Sequence, residues 1–253
     1  EPIWRVKPET AARVRGRIES VLDWAAARLY RTGENPARWR GHLDKLLPAR
    51  SKIAKVQHHA ALPYAGIAKF MTDLRSRDDV AARALEFTIL TASRTSEAIG
   101  VRSEEIDFQS RMWTVPADRM KGGREHRVPL SDRAFEILET AKTEGDYFFP
   151  GRKPGTPLSN MALLMTLRRM GRDDLTTHGF RSTFRDWGAE VTAYPTELLE
   201  MAIAHAVSDK VEAAYRRGDM IEKRRRLMAD WATYCASPPR TGNVVPLRGG
   251  DHG

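Results

Sequence analysis

Apolar residues recur at the helical period through most of the chain, and their spacing sets the expected elements. Over residues 9–30, Val14, Ile18, Val21, Leu22, Ala25 and Leu29 form one stripe, with Arg13, Arg15, Arg17 and Arg28 largely off it, and Gly33 predicts a stop. Asn35 and Pro36 predict a second helix, Asn as N-cap and Pro in the first helical position, with Trp39, Leu43, Leu46 and Leu47 as its apolar face. Residues 48–62 show weak periodicity and read as a basic linker. After Pro63 a helical pattern resumes with Ile67, Phe70, Met71 and Leu74. Residues 79–91 are apolar nearly all round, which predicts a helix at the centre of a core. Two short runs, 112–116 and 126–130, flank a turn holding Gly122 and Gly123 and predict paired strands. Further helices are expected over 131–141, 158–170, 178–190, 195–204, 209–217 and 220–235. The last carries Asp219 and Glu222 as a capping box and a stripe of Ile221, Leu227, Met228, Trp231 and Tyr234. From Ser237 on, Pro and Gly predict a loose tail. The expected fold is mainly α with a small antiparallel β-sheet. It divides into a helical module with its linker (1–62), a larger domain (63–236) and a tail (237–253).

Charge changes this picture more than composition does. The 253 residues are 41% hydrophobic and 30% charged, ordinary for a globular chain, and no apolar run is long enough to span a membrane. The first residues lack the apolar stretch of a signal peptide. The sole cysteine, Cys235, rules out an internal disulfide framework and a cysteine-rich zinc site, and reads as a small buried residue near a helix end. These features fit a cytoplasmic protein. The net charge is +9, and residues 1–62 hold thirteen Lys or Arg against six Asp or Glu. The positive excess therefore sits in the first quarter of the chain, as suits a module gripping a phosphate backbone.

Five local patterns carry candidate chemistry, each commonplace when taken alone. Arg94 follows the central apolar helix, with Glu97 three residues on, a spacing that usually makes a surface ion pair. Lys121 lies on the turn between the two strands, where a solvated lysine is ordinary. His178 and Arg181 are spaced to share one face near a helix N-terminus, where anions bind. His205 ends an apolar helix, and Tyr215 follows two alanines, both unremarkable as packing or capping residues. His58 and His59 are adjacent, so they do not face one metal, and no acidic cluster accompanies them.

Order and spacing lift these patterns above chance. Arg94…Lys121…His178-x-x-Arg181…His205…Tyr215 resembles the tyrosine site-specific recombinase or phage integrase family, of the prophage or genomic-island type. The flanking words Thr91-Ala-Ser-Arg94-Thr-Ser-Glu97, Thr177-His-Gly-Phe-Arg181 and Ala204-His205 through Tyr215-Arg-Arg217 are similar to such integrases, over about residues 9–235. Ser208 stands where these integrases often have Gly. Family members usually carry further helices before the point where this chain begins. The resemblance therefore implies an N-terminally truncated core-binding module ahead of a catalytic domain of the DNA breaking-rejoining fold.

The resemblance also implies a chemistry that the residue types suit. A phosphodiester repels nucleophiles, and its transition state gathers charge on the non-bridging oxygens. Guanidiniums clamp such charge bidentately, the expected role of Arg94 and Arg181, with Glu97 orienting Arg94. Tyr215 is the expected nucleophile, His178 the proton acceptor, Lys121 the general acid and His205 a hydrogen-bond donor to a non-bridging oxygen. The implied product is a 3′-phosphotyrosine bond and a free 5′-hydroxyl. Bond energy is conserved, so no ATP, metal or other cofactor is implied. The implied partners are double-stranded DNA at attachment or core sites, further copies of the chain in a tetramer on DNA, and accessory DNA-bending proteins, with the bacterial nucleoid as the place of action. A type IB topoisomerase and a non-catalytic DNA-binding protein on the same fold are the competing readings.

Overall fold

The computed structural model describes residues 2–53, 60–141, 145–205 and 219–237, and the chain divides into two compact units, Glu1–His58 and His59–Gly253. The helix expected over 209–217 and the tail beyond 237 lie outside the described residues.

The first unit holds α1 (Pro2–Val6), the long α2 (Pro8–Ala27) and two short helices, α3 (Asp44–Leu46) and α4 (Arg50–Ile53). Pro8 opens α2, where a missing N–H removes no helical bond. The helix ends ahead of Gly33, because Leu29 already turns left-handed at φ 60°. The helix predicted from Asn35 and Pro36 does not form. Asn35 is buried and its side chain serves α2 instead: Nδ2 donates to the Glu19 carbonyl (2.9 Å) and to Asp23 Oδ1 (2.7 Å), while Oδ1 accepts from the Ala37 amide (2.9 Å). Residues Trp39–Leu43 form a distorted turn, broken at Arg40 and at Gly41 with φ 76°. The Trp39 ring stacks on Trp4 at 5.2 Å between centroids. Tertiary partners for Asn35 and Trp39 thus outweigh a local capping signal. Val14, Ile18, Val21 and Trp24 of α2 are exposed.

The second unit is built round α6 (Val80–Thr91), which is buried from Ala84 to Thr91 as its all-apolar pattern demands. Asp79 caps it, accepting from the Ala82 amide at 3.0 Å. Packed against it are α5 (Ile67–Arg75), α7 (Thr95–Ile99), α8 (Asp132–Thr140), α9 (Ala162–Arg169) and α12 (Ile221–Ala236). Its one buried acid, Glu86, is 2% exposed and held by Arg75 Nε (2.6 Å) and by Arg133 Nε and Nη2 (2.9 and 3.0 Å). Burial alone would raise the Glu86 carboxyl, but the bonds from Arg133 and Arg75 prevail and hold it below the usual glutamate range.

Among the described residues one antiparallel sheet runs in the order β1 (Ile106–Asp107), β2 (Met112–Val115), β3 (His126–Pro129). Trp113 faces Val128 and Val115 faces His126. β2 and β3 match the expected strands. β1 has two residues, too few to show alternation in a sequence. Helices α10 (Gly179–Val191) and α11 (Thr196–Ala202) complete the unit, and the packed rings of Phe184 and Trp187 on α10 and of Trp231 and Tyr234 join α10 to α12. Trp231 Nε1 donates to the Ile89 carbonyl at 2.9 Å, and buried Cys235 lies one turn further along α12. The capping box expected at the start of α12 is not formed. Asp219 engages Arg127 (3.1 Å) and Arg224 (3.6 Å), and Met220 enters the helix left-handed at φ 49°.

Candidate active site

The site begins where the central helix stops. Ala92 caps α6 in the left-handed region at φ 49°, which turns its carbonyl out of the helix, and Arg94 follows in extended conformation immediately before α7. Glu97, one turn into α7, accepts from the Arg94 amide (2.9 Å) and from Arg94 Nη1 (2.7 Å). Glu97 is 2% exposed, so this is no surface ion pair: a buried carboxylate grips Arg94 by main chain and side chain together.

Arg181 arrives from α10, three residues after His178. It is 4% exposed; Nη1 donates to the Ala92 carbonyl at 2.6 Å and Nη2 to the Ile203 carbonyl. Its Nε is buried with no hydrogen-bond partner among the described residues. Burial, and then the neighbouring Arg94 charge, push its pKa down to about 10, which leaves it cationic at neutral pH. Two cations are therefore crowded together with donors unspent, an arrangement that an anion relieves.

The turn after α11 holds them there. Three successive carbonyls accept three side chains: Ala202 from His126 Nε2 (3.3 Å), Ile203 from Arg181 Nη2, and Ala204 from Arg94 Nη2 (3.3 Å). The last carbonyls of a helix lack helical partners and carry partial negative charge, so they suit guanidinium donors. Ala204 is left-handed at φ 50°. His205 comes next, exposed, with its amide on the Glu200 carbonyl (3.0 Å) and Nδ1 2.6 Å from Glu200 Oε2. A carboxylate only accepts, so Nδ1 carries a proton, and Nε2 can donate to a ligand only when the ring is cationic. Burial would raise the Glu200 carboxyl, but bonds from Arg185 and His205 hold it low.

The structure thus gathers Arg94, Glu97, Arg181 and His205 round one turn. His178 is exposed and directly precedes α10. Its turn is backed by residues 60–62: the Thr176 amide and hydroxyl both donate to the Ala60 carbonyl (3.3 Å each), and Thr183 Oγ1 donates to the Leu62 carbonyl (2.6 Å). Any Cβ at position 179 would collide with the Ala60 carbonyl oxygen, so the close approach there requires glycine. Lys121 is exposed on its glycine turn, outside the hydrogen-bonded cluster round the arginines. Tyr215 lies outside the described residues. Sequence reasoning missed Glu200, His126 and Arg119, whose Nη2 donates to the Glu97 carbonyl at 2.7 Å. It also missed the carbonyl-bearing residues 202–204, which offer no polar side chain to notice.

A family description, Phage integrase family, matches residues 64–221, and a second, Phage integrase central domain, matches residues 1–42. The chain belongs to the phage integrase family. The match spans every candidate residue from Arg94 to Tyr215 and falls within the second unit, while the central-domain match falls within the first. Prophage integrase IntZ of Escherichia coli (strain K12) is 34% identical over 96% of this chain and 59% of its own length. The chain spans between 36% and 61% of the lengths of the curated relatives it matches. Among solved structures, a lambda integrase dimer bound to a COC′ core site superposes with a TM-score of 0.58 at 17% identity, over 86% of this chain and 76% of that one. A lambda integrase tetramer bound to a Holliday junction superposes at 0.55 and 16%, over 81% and 58%. The integrase fold expected from the resemblance, mainly helical with a small antiparallel sheet, is the fold present.

Proposed function

We propose that this chain is the core-gripping and DNA-cleaving part of a site-specific recombinase of the tyrosine type. The observation that carries the reading is the pair of guanidiniums, Arg94 and Arg181, tied from behind by Glu97 and the Ala92, Ile203 and Ala204 carbonyls with donors left for an anion. In this reading they clamp the non-bridging oxygens of a scissile phosphate. The Tyr215 phenol loses its proton to His178 as its oxygen attacks phosphorus. The bond from phosphorus to the 5′-oxygen breaks, and Lys121 protonates that oxygen. His205, held through Nδ1 by Glu200, donates from Nε2 to a non-bridging oxygen when both ring nitrogens carry protons. A 5′-hydroxyl of another strand then reverses the step and rejoins the DNA.

Duplex DNA, a tetramer formed on it and accessory DNA-bending proteins are the proposed partners. The integrase relatives and the lambda complexes with a core site and a Holliday junction favour joining of chosen sites over general relaxation of supercoils. The test is covalent capture from a pool of nicked duplexes with a randomised core, in which the cleaved fragment diffuses away. The wild type should give a detergent-resistant protein–DNA adduct, Tyr215→Phe none, and Arg181→Ala about 10²–10³-fold less. An adduct formed equally by Tyr215→Phe, or none from the wild type, overturns the reading.

A further inference from the structure

His126 belongs to none of the proposed chemical steps, yet it reaches the turn on which the arginines depend. It opens β3, five residues after Lys121, and its half-buried ring places Nε2 3.3 Å from the Ala202 carbonyl. A carbonyl only accepts, so Nε2 carries the proton and the neutral ring is the Nε2–H tautomer. The next two carbonyls hold Arg181 and Arg94, and the residue after those is His205. The turn is fastened to the sheet through His126 and to α6 and α7 through the arginines. Release of the Ala202 carbonyl would let the turn swing, and both guanidiniums would lose the aim that a charge clamp requires.

We infer that His126 is a positioning residue: by donating to the Ala202 carbonyl it fixes the 202–205 turn and so orients Arg181, Arg94 and His205 toward the phosphate. This rests on the proposed site but adds a residue that contacts no reacting atom. The ring's surroundings agree. Burial first, then the cations Arg224 of α12 and Arg181 of α10, lower its pKa to about 4, against Glu97 of α7 and the bond to the Ala202 carbonyl, which raise it, so a neutral donor is maintained at working pH. A further cation in this place would only repel the arginines.

Two substitutions separate positioning from packing. His126→Phe keeps ring and volume but has no donor; His126→Gln restores an N–H at about the same reach. On the captured core duplex, His126→Phe should cleave about tenfold more slowly, with His126→Gln recovering most of the rate. On the same duplex with a methylphosphonate at the scissile position, one non-bridging charge is gone and the clamp matters less. The His126→Phe deficit should therefore shrink. Wild-type rate in His126→Phe, or equal deficits in both variants on both substrates, overturns the inference. A second measurement is independent of cleavage. In ¹⁵N-labelled full-length chain, the His126 ring should show a protonated Nε2 and a bare Nδ1, unchanged from pH 8 to about pH 5. A neutral ring protonated at Nδ1 and bare at Nε2 removes the bond and the inference with it. Absence of any wild-type adduct would instead count against the proposed function, and the ring measurement would still decide this point.

Discussion

At the scale of single residues, the proposed chemistry divides the work between groups that stabilise charge and groups that move protons. Arg94 and Arg181 are anchored to backbone and buried carboxylate, whereas Lys121 sits exposed on a turn where Gly123 adopts φ 62°. A tethered cation suits a fixed charge, and an ammonium on a glycine turn suits delivery of a proton. Lys121→Ala should therefore cleave ordinary DNA about 10²–10⁴-fold more slowly. With sulfur in place of the bridging 5′-oxygen, the leaving group is a thiolate whose conjugate thiol has a pKa of about 8.5, and it departs without a proton. Most of the Lys121→Ala loss should then be restored, while Arg181→Ala gains little. Equal Lys121→Ala defects on the two substrates would assign the lysine to backbone contact instead.

At the scale of elements, α6 decides whether the site has a base to stand on. It ends at Ala92, whose carbonyl holds Arg181, and its interior is apolar except for Glu86 and two threonines that bond back to their own helix. Glu86 tolerates burial because Arg75 and Arg133 satisfy it, and its depressed pKa is a statement about stability. A carboxyl held low in the fold stabilises above its unfolded value, about 4.3, and loses that contribution as pH falls through the folded value. Glu86→Gln should cost about 2 kcal/mol near neutrality, because bonds to a charged acceptor are exchanged for neutral ones. The gap between wild type and variant should close as the pH is lowered from about 5 to about 3. Melting followed by circular dichroism across that range checks this, and a gap independent of pH would refute the ionic account.

At the scale of the whole molecule, the two units differ in charge as well as in size. Thirteen of the 42 basic residues fall in the first 62 positions, against six of the 33 acidic ones, so the larger unit is nearly neutral. In the proposed function the first unit grips DNA, and such binding would release counterions from the duplex. If about six phosphates are contacted, log K against log salt should fall with a slope of roughly −5. Fluorescence anisotropy on a labelled duplex over a salt series measures it; a flat line would mean that the basic module does not grip the backbone.

Apolar patterning marked α5, α8, α10 and α12, each with one buried face, and α6, which is apolar all round, whereas the stripe that marked α2 stays largely exposed. Order and spacing, through the family resemblance, pointed to Arg94, Glu97, Arg181 and His205, which the fold gathers round one turn, and equally to Lys121, which lies outside that cluster, to His178, and to Tyr215, which lies outside the described residues. Three things were legible only in three dimensions. The Asn35 and Asp219 capping signals were real but were outcompeted by Glu19, Asp23, Arg127 and Arg224, partners brought in by folding. The two-residue strand β1 is too short for any pattern. The carbonyls of Ala202, Ile203 and Ala204, which join His126, Arg181 and Arg94 into one assembly, belong to the backbone, and every residue has one. A sequence records which side chains are available. Which of the many identical carbonyls meets them depends on where a helix ends and how the following turn is wound, and that is settled by tertiary packing.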